Sequence, residues 1–191
     1  AALGAFTIAA GAAGTQAASF QSQMQNVGTL LDGDVQGKLQ GMSKQLKQVS
    51  IDTGAATSDL TDGLYQVVSA FGESAESVKQ LEIAAKAAKA GNATTTDSVN
   101  MLSAVTKGYG DTSAAALQKA SDLAFLTVKL GQTSFPELAS SMGQVVPLAA
   151  TMKVSQEELF GAMATLTGVT GGTAEVTTQL RATMQEFLSP S

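Results

Sequence analysis

Apolar residues return at intervals of three and four along most of this chain, and that spacing admits one fold class. Phe20, Met24, Val27 and Leu31 step by four, three and four, and Leu39, Met42, Leu46 and Val49 step by three, four and three. In a helix of about 3.6 residues per turn such positions share one face. Leu60, Leu64, Val67, Val68 and Phe71 repeat the pattern, as do Phe135, Leu138, Met142, Val145 and Val146, and then Leu159, Phe160, Met163 and Leu166. No stretch keeps the alternation of a half-buried strand. The expectation is an all-α fold, an array or bundle of about nine short amphipathic helices joined by short, glycine-marked loops.

The punctuation agrees with the periodicity. Gly72, Gly91, the Gly108-Tyr109-Gly110 run, Gly131 and the Gly171-Gly172 pair stand where helices should close, because glycine enters the left-handed region without a Cβ penalty. Ser134-Phe135-Pro136-Glu137 and Ser155-Gln156-Glu157-Glu158 fit the capping box, in which Ser accepts from an orphan N–H and Glu reaches back. Pro147 falls inside an apolar stripe and removes one backbone bond, so that helix should kink or end near Val146. Between Gly72 and Gly91 strong helix formers dominate, with Glu82 four residues before Lys86 in the favourable orientation. Helices are therefore expected near 1–27, 34–50, 58–71, 74–90, 96–107, 113–130, 135–151, 156–168 and 174–188. Residues 1–27 form an Ala/Gly-rich N-terminal helix and 28–191 a helical core region in this reading. Short loops suit antiparallel hairpins, while a compact bundle and an elongated array both remain open. Only element size repeats, not any motif at fixed period.

Composition narrows the function. The hydrophobic fraction is 44% but aromatics are 5% and Trp is absent, so Ala, Val, Leu and Met carry the apolar content and bury little area each. Charged residues make up 14%, against roughly 25% in an average soluble domain, which predicts that part of the surface faces protein. A net charge of −5 argues against phosphate neutralisation, and so against specific nucleic-acid binding. Ala1 to Gly14 has only Thr7 as a polar side chain, which raises a membrane-active helical effector or translocator as the alternative. A spanning helix needs about 20 apolar residues, however, and Gln16, Ser19 and Gln21 follow soon. The first residue is Ala and both ends are abrupt, so the chain is expected to be a fragment of a longer polypeptide.

With no His and no Cys, imidazole-assisted nucleophiles, disulfides and thiolate metal sites are excluded within this chain. No stretch supplies a phosphate-cradling loop with its Lys. Several motifs tempt. Asp32-Gly33-Asp34-Val35-Gln36-Gly37 resembles the start of a calcium loop, but Gln36 and Ser43 occupy positions that need carboxylate ligands, leaving a turn with an Asp cap. Glu157 and Glu158 sit in a first helical turn, where negative charge suits the dipole. Asn92-Ala93-Thr94 has the form of a glycosylation acceptor, yet reads as turn chemistry. Lys79, Lys86 and Lys89 form a solvated helix face or a docking stripe for an acidic partner. Met24, Met42, Met142 and Met163 belong to the core stripes. No catalytic, cofactor-binding or metal-binding residue is expected, and the chain is read as non-enzymatic.

Ordered blocks along the chain carry a resemblance. They are Phe20-Gln21-Ser22-Gln23-Met24-Gln25-Asn26-Val27-Gly28-Thr29-Leu30, Asp59-Leu60-Thr61-Asp62-Gly63-Leu64-Tyr65-Gln66-Val67-Val68-Ser69-Ala70, and Ala84-Ala85-Lys86-Ala87-Ala88-Lys89-Ala90-Gly91. Lys107-Gly108-Tyr109-Gly110, Phe135-Pro136-Glu137-Leu138-Ala139-Ser140-Ser141-Met142-Gly143-Gln144-Val145 and Val154-Ser155-Gln156-Glu157-Glu158-Leu159 follow. Together they resemble the conserved tail-length region of phage tail tape measure proteins over residues 17 to 188. The resemblance implies a multi-copy protein, a trimer or hexamer, in the virion tail lumen or tail tip and in the host cytoplasm during assembly. It also implies as partners the tail tube protein, distal tail, hub or baseplate proteins and tail assembly chaperones, with membrane contact only at genome ejection. Tail tube length would be set by long helical regions of the same protein, and no cofactor is implied.

Overall fold

The computed structural model describes residues 18–189. Among them the regular structure is helical throughout, and the all-α expectation holds. A first helix, α1, covers residues 18–28. It is followed by α2 (Val35–Thr53), α3 (Thr57–Phe71), α4 (Ser77–Gly91), α5 (Thr95–Gly108), α6 (Ala114–Leu130), α7 (Phe135–Thr151), α8 (Gln156–Thr170) and α9 (Thr173–Leu188). The expected helix over 1–27 falls mostly outside the described residues, and so does the apolar Ala1 to Gly14 on which the membrane alternative rests. No described helix is long and apolar enough to cross a membrane.

The helices form two layers. α3, α5, α7 and α9 pack side by side in one layer, and α2, α4, α6 and α8 in the other, so each helix meets the next but one. α1 and α2 make an antiparallel hairpin, with Lys47 over the Phe20 ring at 5.7 Å at one end and Gly28 against Leu39 at the other. Starts in one layer fall at 57, 95, 135 and 173, and in the other at 35, 77, 114 and 156. The chain thus advances by a hairpin every 37 to 42 residues. Such stacking of near-equivalent hairpins is the geometry of an α-solenoid. The apolar stripes meet between the layers. Leu60, Leu64, Leu81, Leu102, Leu117, Leu138 and Leu159 are fully buried there, as are Met142 and Met163, while Met24 and Met42 are nearly so.

Three local expectations are corrected. α7 spans the expected 135–151, but it does not end near Val146 and continues through Pro147 to Thr151. Pro147 lies on the exposed side, so the carbonyl of Gly143 that loses its donor faces water, while Val145, Val146 and Ala149 on the other side are fully buried. α4 starts at Ser77 rather than near residue 74, because the Ser74 N–H donates to Ser77 Oγ at 3.0 Å and the Glu76 N–H to Ser74 Oγ at 3.2 Å, a side-chain turn that replaces the first helical turn. Glycine serves two purposes. Gly72, Gly110 and Gly171 have positive φ, but the left-handed residue closing α4 is Asn92. Gly91, Gly108 and Gly131 are instead points of close approach, facing Phe135, Val146 and Thr167 with no room for a Cβ.

Candidate assembly surface

Parallel alignment within each layer sets helix N-termini side by side, and carboxylates tie them together. Asp59, at the start of α3, accepts from the backbone N–H of Thr95 at 3.1 Å and from its hydroxyl, at the start of α5. Glu76, just before α4, accepts from the N–H of Ala114 at the start of α6 at 3.2 Å, and Gln80 donates to the Thr112 carbonyl beside it at 2.9 Å. Glu137, in α7, accepts from the Thr173 hydroxyl at the start of α9 at 3.3 Å. Each case sets a carboxylate against the first residue of the helix after next, where orphan N–H groups and the positive dipole end favour it. Sequence reasoning missed this device. Its signal is an acidic residue 36 or 38 positions before a helix start, visible only once the hairpin period is known.

The two capping boxes are present as expected. Glu137 Oε2 accepts from the Ser134 N–H and Glu158 Oε2 from the Ser155 N–H, both at 2.8 Å. Those bonds, led by the backbone donors, hold both carboxyls below the usual carboxylate range. Glu157 pairs with Lys119 of α6 at 2.7 Å, joining neighbouring helices of one layer rather than facing Glu158 in a catalytic dyad. Asp34 caps α2, accepting from the Gly37 N–H at 3.0 Å. Among the described residues no group of three or more His, Cys, Asp or Glu side chains gathers for a metal. Glu82 pairs with Lys86 at 2.5 Å and Lys79 at 3.0 Å, and these two lysines, Lys86 first, draw its carboxyl below the ordinary value. Tyr109 is half-buried with an unpartnered hydroxyl, and burial, helped by the charges of Glu157 and Glu158, pushes it up to about 12.

Charge separates by layer. α2 carries Lys38, Lys44 and Lys47, α4 carries Lys79, Lys86 and Lys89, and α6 carries Lys119 and Lys129, against five carboxylates in α2, α4, α6 and α8. α1 has no charge, and α3, α5, α7 and α9 hold six carboxylates against Lys107 and Arg181. The net acidity is therefore not an even acidic coat. Every exposed residue of α4 except Ala90 is a lysine. Both layers expose apolar residues near helix C-termini: Ile51 at 75%, Leu130 at 64% and Val169 at 81% along one edge of this layer, and Phe187 at 73% in α9 of the other. The opposite face holds an open polar cleft of about 480 Å3, lined by Gln23 and Asn26 of α1, Asp62, Tyr65 and Gln66 of α3, and Thr96 of α5.

Among the described residues, then, the two layers are tied laterally by carboxylates and differ in the charge they expose. Residues 43–191 match the family described as phage-related minor tail protein. The chain belongs to that family. No curated protein and no solved structure matches it. Membership in a phage-related minor tail protein family makes this a structural component of a phage tail, one that assembles with other tail components and resides in the virion tail. Residues 43–191 include α3 to α9 entire and the last eleven residues of α2.

Proposed function

We propose that this minor tail protein is a non-enzymatic structural segment of a tape measure protein, determining tail tube length during assembly and occupying the tail lumen or tip until genome ejection. The observation that carries the reading is the match of residues 43–191 to the phage-related minor tail protein family, on a stacked array of near-equivalent hairpins. The ordered blocks from Phe20 to Leu159, which fall on α1, α3, α4 and α7, on the end of α5 and on the start of α8, support the same assignment.

The array also indicates the part this segment plays. Helices in a layer stand about 8–10 Å apart, so a hairpin of 37 to 42 residues advances the array by only about a quarter of an ångström per residue. A single extended helix advances about 1.5 Å per residue. The folded segment is thus an anchor that engages copies and neighbouring tail proteins, while extended helical stretches of the same polypeptide measure length. Electron microscopy of particles tests this. In-frame deletions in such stretches should shorten the tail by about 1.5 Å per residue removed, and deletion of residues 57–171 should abolish or disorder tail assembly. Tails of normal and uniform length in the absence of the whole polypeptide would overturn the proposal.

A further inference from the structure

The geometry points to a second copy of this chain as the occupant of the lysine-bearing layer, docked through its opposite, carboxylate-bearing layer. This rests on the structural-segment reading and adds the interface to it. Lys44, Lys89 and Lys129 are exposed and enter no ion pair among the described residues. Their layer also exposes Ile51, Leu130 and Val169, and the opposite layer Phe187 and Leu188, so both faces carry apolar area that a purely phosphate-binding face would not need.

The opposite layer exposes Asp62, Asp97, Glu137 and Glu175. Two copies meeting through the same lysine face would set like charges against one another, whereas lysine face to carboxylate face is complementary. Four helices about 8–10 Å apart and about 22–28 Å long offer on the order of 800 Å2 on each side. That equals the area per partner in a stable protein interface, about 800 Å2. Because the two faces differ, the contact is heterologous and leaves a free lysine face and a free carboxylate face at the ends, so copies add until a ring closes or an outer wall stops them.

Sedimentation of the purified 191-residue chain tests the inference. The wild-type chain should self-associate, with the association constant falling about tenfold or more between about 0.05 M and about 0.5 M salt. Lys44→Glu with Lys89→Glu and Lys129→Glu should leave a helical monomer by circular dichroism, and so should Asp62→Lys with Glu175→Lys. Mixing the two variants should restore association, because each then meets its complement. A wild-type chain monomeric at low salt, or association that the lysine reversals leave unchanged, overturns the inference. So does a monomer that binds duplex DNA only while the three lysines are present, which would give the face to a polyanion. A strictly monomeric chain would remove this interface without touching the tail-length result, so the two proposals fail separately.

Discussion

At the scale of single residues, helical glycines divide by what a methyl group would meet. A Cβ on Gly91 would lie 2.5 Å from Phe135 Cγ and 2.6 Å from its Cβ, and Phe135 is itself only 1% exposed and stacked on Phe125. Gly91→Ala should therefore destabilise the chain by about 1–3 kcal/mol despite its better helix propensity, because a well-packed ring must move. Gly161 is exposed in mid-helix with nothing within 4 Å of the same position. Gly161→Ala should stabilise by about 0.5–1 kcal/mol, and chemical denaturation of the pair reads both signs in one experiment. Equal effects at the two sites would refute the contact role of Gly91. Tyr109 offers a second residue-level prediction. Its raised pKa means the folded state holds the phenolic proton more tightly than the unfolded chain, so its contribution to stability is present below the ordinary value of 10.0 and lost as pH rises toward about 12. In Tyr109→Phe that alkaline loss should shrink, and at neutral pH the variant should be no less stable, since the deleted hydroxyl has no partner. Thermal melts between about pH 9 and about pH 12 supply the comparison.

At the scale of helices, the carboxylate ties make neighbouring elements cooperative. Asp59→Ala removes the acceptor of the tie from α3 to α5 and Thr95→Val its hydroxyl donor, and the double mutant should show a coupling of about 1–2 kcal/mol for the hydroxyl bond in a denaturation cycle. Strict additivity would mean that the bond contributes nothing to docking. Acid acts on the same class of contact. The carboxyls of Glu137 and Glu158 titrate below their ordinary value of 4.5, so their stabilisation is intact above that pH and is lost as pH falls through the lowered folded values. The melting temperature should fall below about pH 5, and Glu137→Gln with Glu158→Gln should flatten that slope. An unchanged acid slope would remove the capping boxes as its source. Helices and these boxes were legible in the sequence, because both depend on residues within one or two turns of each other. The ties were not. Asp59 and Thr95 are 36 residues apart, and nothing local marks them as partners. The same distinction explains Pro147, where the penalty is local and known but the burial of Val145, Val146 and Ala149 that outweighs it is set by neighbouring helices. It also explains Gly91, whose place at a helix end was visible while its contact with Phe135, 44 positions on, was not. For the candidate surface, Lys79, Lys86 and Lys89 were legible as one helix face, but their union with the lysines of α2 and α6 needed the two-layer topology.

At the scale of the whole molecule, an array whose helices contact mainly near neighbours should unfold by degrees from its ends rather than as one block. α4 and α5 sit in the middle, each packed against helices on both sides in its own layer and across the interface, and together they bury Leu81, Ala84, Val99, Met101, Leu102 and Val105 almost completely. α9 lies at one end, has described helix neighbours in its own layer on one side only, and buries just Thr173, Val176, Thr177 and Met184. Native-state hydrogen exchange should accordingly find the slowest amides in α4 and α5, with those in the C-terminal half of α9 faster by about a hundredfold or more, a difference of about 2.7 kcal/mol in opening free energy. If copies stack through their faces as inferred, raising the concentration should slow exchange across α2, α4 and α6 while leaving the rank order along the array intact. A single protection value shared by α4 and α9 would show that the chain unfolds as one cooperative domain and would refute the independence of its hairpins.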